Sequence, residues 1–397
     1  MELVLATRNR DKIREIKQIL KNLNTRVLTF KDFSGFPEVV EDKYTLRGNA
    51  LTKAWTVARF SKKLALADDS GLEVEALKGA PGVFSSRFAG EGASYKDNNR
   101  KVLSLLEGVP PHRRKAKFRC VVAISNAYGR RKVVEGICEG RITEEIKGRQ
   151  GFGYDPIFQP LGYNETFAEM SPGLKNEISH RGMALKKAKA VLEEWHKKRV
   201  IGITGNIGCG KTTAARMFET LGAKLISADE IGHLLLQEKK VKNRLTRIFS
   251  SSILDEGGCI KRKNLREIVF SDKKSLEQLD SLLHPLILKE VKKNIKACDD
   301  GIILLEAALL LEAGWECLVD KILVVTSSRQ TQLRRIKKGT DFTPQEIRGV
   351  IGVQLPQEEK IRQADFIIRN DGREEETREQ VKKVWETLEK EDCEARG

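Results

Sequence analysis

Gly205-Asn206-Ile207-Gly208-Cys209-Gly210-Lys211-Thr212 stands near the midpoint of this 397-residue chain. It fits the pattern G-x-x-x-x-G-K-[ST] and lies between an apolar segment, Val200 to Ile203, and a helical one, Thr213 to Leu221. Glycines at these places let successive backbone N–H groups turn toward one anion. Lys211 then reaches the β- and γ-phosphates of a nucleotide, and the Thr212 hydroxyl ligates Mg²⁺. Gly208, Cys209, Gly210, Lys211, Thr212 and Thr213 are therefore the expected ATP-binding residues. A strand feeding such a loop opens a new α/β domain, so the residues ahead of it must fold separately.

The preceding segment agrees. Ala184 to His196 has the spacing of an amphipathic helix, with Leu185, Ala188, Leu192 and Trp195 on one face. The basic run Lys197-Lys198-Arg199 follows and reads as a very short linker. The expected domains are residues 1–196 and 200–397, joined at 197–199.

The charge divides unevenly at the same place. Lys and Arg number 72 against 56 Asp and Glu, a formal +16. Residues 1–199 carry 38 basic and 24 acidic residues, a net +14, which leaves +2 for the rest. Such an excess points to nucleic acid, an anionic membrane or anionic small molecules. No apolar run reaches the roughly 20 residues of a membrane span, and the N-terminus lacks the pattern of a signal peptide. Seven cysteines with no C-x-x-C pair argue against a disulfide framework or zinc site, and for a reducing cytoplasm. The densest basic run, Arg113-Arg114-Lys115-x-Lys117-x-Arg119, has no nucleic-acid motif beside it and reads as a solvated lead-in to a strand.

Four segments of the first half carry possible chemistry. Glu2 to Ala6 reads as a strand that turns through Thr7-Arg8-Asn9-Arg10-Asp11-Lys12 into a helix, the geometry of an anion site or of an ordinary capped helix start. Leu64 to Ala67 reads as a buried strand ending in Asp68-Asp69-Ser70-Gly71. Carboxylates there suit Mg²⁺ or activation of a water, and the same four residues suit a plain turn. Glu41 and Asp42 form a second acidic pair. Gly151-Phe152-Gly153-Tyr154-Asp155 offers aromatic faces for a base and a carboxylate for its N–H groups. Lys175, Ser179, His180 and Arg181 offer donors just before the terminal helix of this half.

In their order and spacing these segments resemble the nucleoside triphosphate pyrophosphatases that act on inosine and xanthosine triphosphates. The matching residues are Leu5-Ala6-Thr7-x-Asn9-x-x-Lys12-x-x-Glu15, Asn49-Ala50-x-x-Lys53-Ala54, Ala67 to Leu72, Pro81-Gly82-Val83, Ser86 to Gly90, Gly151 to Phe158 and Ser179-His180-Arg181. The resemblance implies a mixed α/β fold with a central cleft, often a homodimer, that cleaves between the α- and β-phosphates. It implies Asp69 as general base and metal ligand, with Glu41 and Asp68 assisting Mg²⁺. Thr7 to Lys12 and Ser70 would hold the triphosphate. Phe152, Gly153, Tyr154, Asp155, Lys175, His180 and Arg181 would hold the base. One position departs from the family pattern F-x-E-N-A: Gly48 stands where the acid is usual.

The second half resembles dephospho-CoA kinase. The phosphate loop, Leu221-Gly222-Ala223, Ala228-Asp229, Ile260-x-Arg262-x-x-Leu265, His284-Pro285, Gln332-x-x-Arg335, and Gln354 with Lys360 carry the likeness. Asp229, at the C-terminal end of an expected strand, suits a base for an acceptor hydroxyl. The resemblance implies a P-loop kinase fold, a parallel sheet flanked by helices, with ATP as donor and dephospho-CoA as acceptor. It places Arg262 and His284 on the acceptor side. Four departures stand at Glu306 and Ala308, in place of Asp and Pro, and at Gly339 and Val350, in place of arginines. Lys337, Lys338 and Arg348 are the candidates to compensate, although arginine and lysine are not equivalent on a transferring phosphoryl group, because only arginine has the planar fork. The expected protein is therefore a bifunctional enzyme in an α/β two-domain fusion. The alternative is an active pyrophosphatase fused to a weakened, ATP-sensing domain.

Overall fold

The computed structural model describes residues 2–21, 23, 25–339 and 341–396, without the side chains of 392–396. Two compact units divide the chain, one over residues 1–196 and the other over 197–393.

In the first unit the elements run β1 (Glu2–Leu5), α1 (Arg10–Ile19), β2 (Arg26–Leu28), α2 (Leu46–Ser61), β3 (Leu64–Val74), α3 (Tyr95–Leu105), β4 (Lys115–Ser125), β5 (Arg131–Ile142), β6 (Phe158–Pro160), α4 (Pro172–Ile178) and α5 (His180–Lys197). They build one mixed sheet of order β2-β1-β3-β4-β5-β6. β1 pairs parallel with β2 and β3, and the pairs from β3 to β6 are antiparallel. Successive strand residues point to opposite faces, and both faces are covered. Leu3, Leu5, Leu66, Val122 and Ile124 pack with Ile16 of α1 and Leu185, Ala188 and Leu192 of α5. Val4, Ala65, Ala67, Val121 and Ala123 pack with Ala50, Ala54 and Val57 of α2.

Two local expectations change here. Asp68 to Gly71 form no turn. β3 runs on to Val74, because β4 pairs with it residue for residue, Asp68 against Val122 and Gly71 against Arg119. Gly71 is there for space, since a Cβ would lie 2.5 Å from the Gly82 carbonyl oxygen. The terminal helix starts at His180 rather than Ala184, so His180 and Arg181 are held by helix backbone.

The second unit runs β7 (Lys198–Thr204), α6 (Lys211–Thr220), β8 (Lys224–Ser227), α7 (Ala228–Gln237), α8 (Lys239–Phe249), α9 (Arg262–Ser271), α10 (Lys273–Ala297), β9 (Gly301–Glu306), β10 (Lys321–Thr326), α11 (Arg329–Gly339), α12 (Pro344–Val353), α13 (Gln357–Arg362), β11 (Phe366–Arg369) and α14 (Glu374–Arg396). Its sheet has order β11-β10-β7-β9-β8 and every pair is parallel. The strands read as near-continuous apolar runs, as a sheet covered on both faces requires. No free linker separates the units. Lys197 ends α5, while Lys198 and Arg199 already pair with Gly301 and Ile302 of β9. Lys198 Nζ donates to the Lys296 carbonyl and Arg199 reaches Glu391 at 2.5 Å, so the basic run is used in ordered structure.

Candidate active sites

The alternation of β3 decides the first site. Asp68 shares the face of Leu66 and Val122, under α1 and α5. Asp69 shares the face of Ala67 and Val121, under α2. The two adjacent carboxylates therefore meet different cations. Asp68 is fully buried and pairs with Lys12 Nζ and Arg181 Nε, each at 3.1 Å. Those two cations hold its carboxyl far below the usual carboxylate range against the opposing effect of burial. Asp69 accepts from Lys53 Nζ at 2.9 Å and from Asn49 Nδ2 at 3.3 Å. Burial raises its pKa above the ordinary value in spite of Lys53.

Lys53 is a residue that sequence reading quoted only as part of a motif. Its ammonium also donates to Glu41 Oε1 and to the Asp68 carbonyl, both at 2.8 Å, and its pKa is raised to about 12. Burial there lowers it, and Asp69 and Glu41 more than reverse that. Glu15 was missed in the same way. It bridges Lys175 Nζ at 2.7 Å and Arg181 Nη1 at 2.6 Å. Lys175 in turn donates to Asp155 Oδ2 at 2.6 Å, which also accepts from the Phe152 amide at 2.7 Å. Gly151 leaves room for that carboxylate, because a Cβ would lie 2.2 Å from Asp155 Oδ2.

A cleft of about 380 Å³ collects most of the expected residues. Thr7, Arg8, Asn9, Lys12, Glu41, Asp69, Ser70, Phe152, Gly153, Tyr154, Asp155, His180 and Arg181 line it. Asn9 caps α1, its Oδ1 accepting from the amides of Asp11 and Lys12. That places the open helix start and the Lys12 ammonium on the cleft. Arg10 and Asp11 are absent from its wall, since the helical twist turns them away, and Asp11 pairs with Arg14 at 3.6 Å. Lys175 and Asp68 stand behind the wall as supports. His180 is buried and stacks on Phe118 at 4.4 Å and 9°. Burial and the nearby Arg181 hold its pKa well below 6.5, so it is neutral at pH 7.

The expected metal triad is not assembled. Among the described residues no three acidic, His or Cys side chains converge on one point. Lys53 stands between Glu41 and Asp69, and Asp68 is engaged by Lys12 and Arg181. The donor chemistry still suits a hard divalent cation. Asp69 and Glu41 face the cleft, and the buried Asp68 Oδ1 has no hydrogen-bond partner. Gly48 takes no part. A Cβ there would point at Lys43 Cβ, 2.8 Å away, and at the Thr45 hydroxyl, outside the cleft.

The second site is the loop from Gly205 to Thr212. Gly205, Gly208 and Gly210 all have positive φ, and a Cβ on Gly210 would lie 2.1 Å from Asn370 Nδ2. The Cys209 carbonyl accepts from Asn370 Nδ2 at 2.9 Å and from Arg335 Nη1 at 3.4 Å. The Cys209 side chain is fully buried, and burial raises its thiol pKa, so it fills space. Thr212 Oγ1 donates to Glu306 Oε1 at 2.6 Å, so the longer acid at 306 still reaches the loop. The carbonyl of Ala308, which stands where the proline is usual, is held by Lys360 Nζ at 2.9 Å and Thr204 Oγ1 at 3.2 Å. Asp229 is exposed in the first turn of α7, just past β8. His233, one turn later and not singled out from sequence, has its pKa lowered by burial and then by Arg262, and Asp229 acts against both. Asp229, His233 and Arg262 thus share one neighbourhood. His284 lies on α10, 3.5 Å from Asp280 and edge-on to Trp315. Gly339 ends α11 one turn beyond Arg335 and offers no donor, and Lys337, Lys338 and Arg348 are exposed.

Residues 3–191 match the model of the Ham1 family. The dITP/XTP pyrophosphatase of Desulforamulus reducens is 55% identical over 192 residues, covering 48% of this chain and 96% of that protein. The chain belongs to the Ham1 family. The family relationship lies in its first unit. Residues 199–376 match the dephospho-CoA kinase model, so a Ham1-type hydrolase domain is fused here to a domain of that transferase family. The dITP/XTP pyrophosphatase of Geobacter sulfurreducens is 49% identical over 46% of this chain and 92% of its own length. Among solved structures, a HAM1 protein from Coxiella burnetii is 41% identical over 49% of this chain and 99% of its own, with a TM-score of 0.46. A dephospho-CoA kinase from Campylobacter jejuni is 29% identical over 48% and 98%, with a TM-score of 0.36.

Within the basic run at 113–119, Arg113 and Lys115 are exposed, and the other three cations are engaged by the protein. Arg114 is buried and donates to the carbonyls of Val109, Thr143 and Leu106. Lys117 and Arg119 pair with Glu73, and Arg119 also with Glu135. No described helix is long and apolar enough to cross a membrane.

Proposed function

We propose that the first unit hydrolyses nonstandard purine nucleoside triphosphates, ITP, XTP and dITP, to the monophosphate and pyrophosphate. The observation that carries this is Asp69, 5% exposed, raised in pKa by burial and facing a cleft that is also lined by the start of α1 and by Phe152. The Asp69 carboxylate takes a proton from water as the water oxygen bonds to the α-phosphorus. The bond to the α–β bridging oxygen breaks and pyrophosphate leaves. Lys53 and Asn49 hold Asp69 in line for this. Asp69 and Glu41 would hold Mg²⁺, which when bound neutralises phosphate charge and makes water more acidic. Release of pyrophosphate from ITP with Mg²⁺ tests the reading. Asp69→Asn should lower kcat about 10²–10⁴-fold, the usual contribution of a general base. Full activity in that variant refutes the assignment. Assembly through the first unit as a homodimer is part of the same reading, checked by light scattering.

The second unit, in the same proposal, transfers the γ-phosphate of ATP to the 3′-hydroxyl of dephospho-CoA. Asp229 accepts the hydroxyl proton, the oxygen bonds to the γ-phosphorus, and ADP leaves. The 2.6 Å contact of Thr212 with Glu306 supports it, since the loop is braced despite the altered motif. Coupled formation of CoA should vanish in Lys211→Ala. The weakened, ATP-sensing alternative rests on Gly339, and it is favoured if the unaltered protein binds ATP and makes no CoA.

A further inference from the structure

Tyr95 has no part in the sites as assigned, yet both its hydroxyl and its ring are engaged within the first cleft. It is the first residue of α3, and its backbone is fixed by a capping box between Ser94 and Asp97. The side chain lines the cleft while the residue stays 43% exposed, at the mouth. Its hydroxyl accepts from Asn9 Nδ2 at 2.9 Å. Its ring centroid lies 6.0 Å from that of Phe152, at 42°. Asn9 is itself fixed, because its Oδ1 caps α1. Phe152 is fixed as well, with Lys175 Nζ at 4.9 Å and Arg181 Cζ at 5.2 Å from its ring centre.

We propose that Tyr95 and Phe152 form a two-ring clamp for the nucleobase, and that the Tyr95 hydroxyl ties the clamp to the start of α1 at Asn9. The inference rests on the reading of this cleft as a nucleoside triphosphate site. A base between two rings needs centroids roughly 7 Å apart, two contact distances of about 3.5 Å. The rings therefore part by about 1 Å and lose their tilt when a base enters. Tyr95 is the ring that moves, since Phe152 is held by two cations and Tyr95 faces solvent. Every base has a π-face, so the clamp gives affinity for an aromatic base rather than choice among bases.

The test compares Tyr95→Ala, Tyr95→Phe and Tyr95→Trp in the full chain. ITP affinity is measured by calorimetry in EDTA, and kcat and KM with Mg²⁺. Loss of a stacking ring is worth about 5- to 150-fold in affinity. Tyr95→Ala should raise Kd and KM for ITP about tenfold with kcat within about twofold, and Tyr95→Trp should restore both. Tyr95→Phe should weaken binding only about two- to threefold, the share of one exposed hydrogen bond. An unchanged Kd in Tyr95→Ala, or an equal loss in Tyr95→Ala and Tyr95→Phe, overturns the clamp. If ITP binds and the clamp pattern appears without turnover, the clamp stands and the hydrolase reading falls. A protein that neither binds nor cleaves ITP overturns both.

Discussion

The two proposed phosphate sites of this chain are built from opposite materials. In the Ham1 cleft, Lys12, Lys53, Lys175 and Arg181 are all ion-paired, to Asp68, Asp69, Glu41, Glu15 and Asp155. Four cations against five carboxylates leave that cluster one charge negative when all are ionised. In the kinase loop, among the described residues, Lys211 and Arg335 touch only neutral groups. Lys211 Nζ lies 3.5 Å from the Asn206 carbonyl, and Arg335 reaches the Cys209 carbonyl and Asn370. The first site must exchange partners, or recruit a cation, before it takes a triphosphate. The second holds its positive charge ready. The +14 of the first half therefore does not lie in its site, as residue counting alone would suggest.

The largest effect that separates the two is loss of a buried charge. Asp68→Asn leaves Lys12 and Arg181 facing a neutral group, and breaking a buried pair in this way costs about 3–5 kcal/mol. Hydrogen exchange of the β1 and β3 amides in the full chain measures it. The pH dependence follows from the lowered pKa of Asp68. Its stabilisation is complete above the unfolded value of about 3.9 and is lost as pH falls through the folded value. The first unit should therefore lose stability in acid, and Asp68→Asn should lack that part of the loss. A variant as stable as the parent at pH 7 would show that the ion network is ornamental.

The matching change in the second unit is smaller. Asn370 is buried, donates to the Cys209 carbonyl and accepts from Thr377 Oγ1 at 3.0 Å. Asn370→Ala leaves buried polar groups unpaired and removes an acceptor of Arg335 Nη2, at about 1–3 kcal/mol. It should raise KM for ATP through a looser loop, with no acid-dependent component. Equal pH dependence in the Asp68 and Asn370 variants would erase the contrast.

The same contrast explains what could be read from sequence. The phosphate loop was legible as a motif because Gly205 to Thr212 are contiguous, while its braces at Glu306, Arg335 and Asn370 lie 94, 126 and 161 residues from their partners. The Ham1 cleft was legible as a set of residues but not as a circuit. Asp, Asp, Ser and Gly favour a turn, and only pairing with β4, some 50 residues away in the chain, keeps them extended. Once β3 is extended, alternation alone sends Asp68 and Asp69 to different cations. Lys53, Glu15 and Tyr95 are ordinary surface-type residues on helices. Their partners lie 12–16, 160–166 and 86 residues away, so no local spacing marks them. The departure at 306 looked serious in sequence because the reach of a longer acid is a three-dimensional property.

The smallest expected effect sharpens the comparison at its most sensitive point. Gly48 sits in the first turn of α2, where its amide donates to the Thr45 hydroxyl at 3.0 Å. A glycine inside a helix is less stable than alanine by up to about 1 kcal/mol. A Cβ at this place, however, meets Lys43 Cβ at 2.8 Å. The Lys43 amide donates to Asn49 Oδ1 at 3.0 Å, and Asn49 Nδ2 donates to Asp69. Displacing Lys43 thus disturbs the group that holds Asp69, the proposed general base. Gly48→Ala should leave stability within about 1 kcal/mol, propensity and crowding offsetting each other. It should lower pyrophosphatase kcat by about tenfold or less, the worth of one hydrogen bond, and leave CoA formation unchanged. Steady-state assays of both activities on one preparation decide it. An unaltered kcat would show that the Lys43–Asn49–Asp69 chain of contacts does not govern the base, and that Lys53 alone positions it.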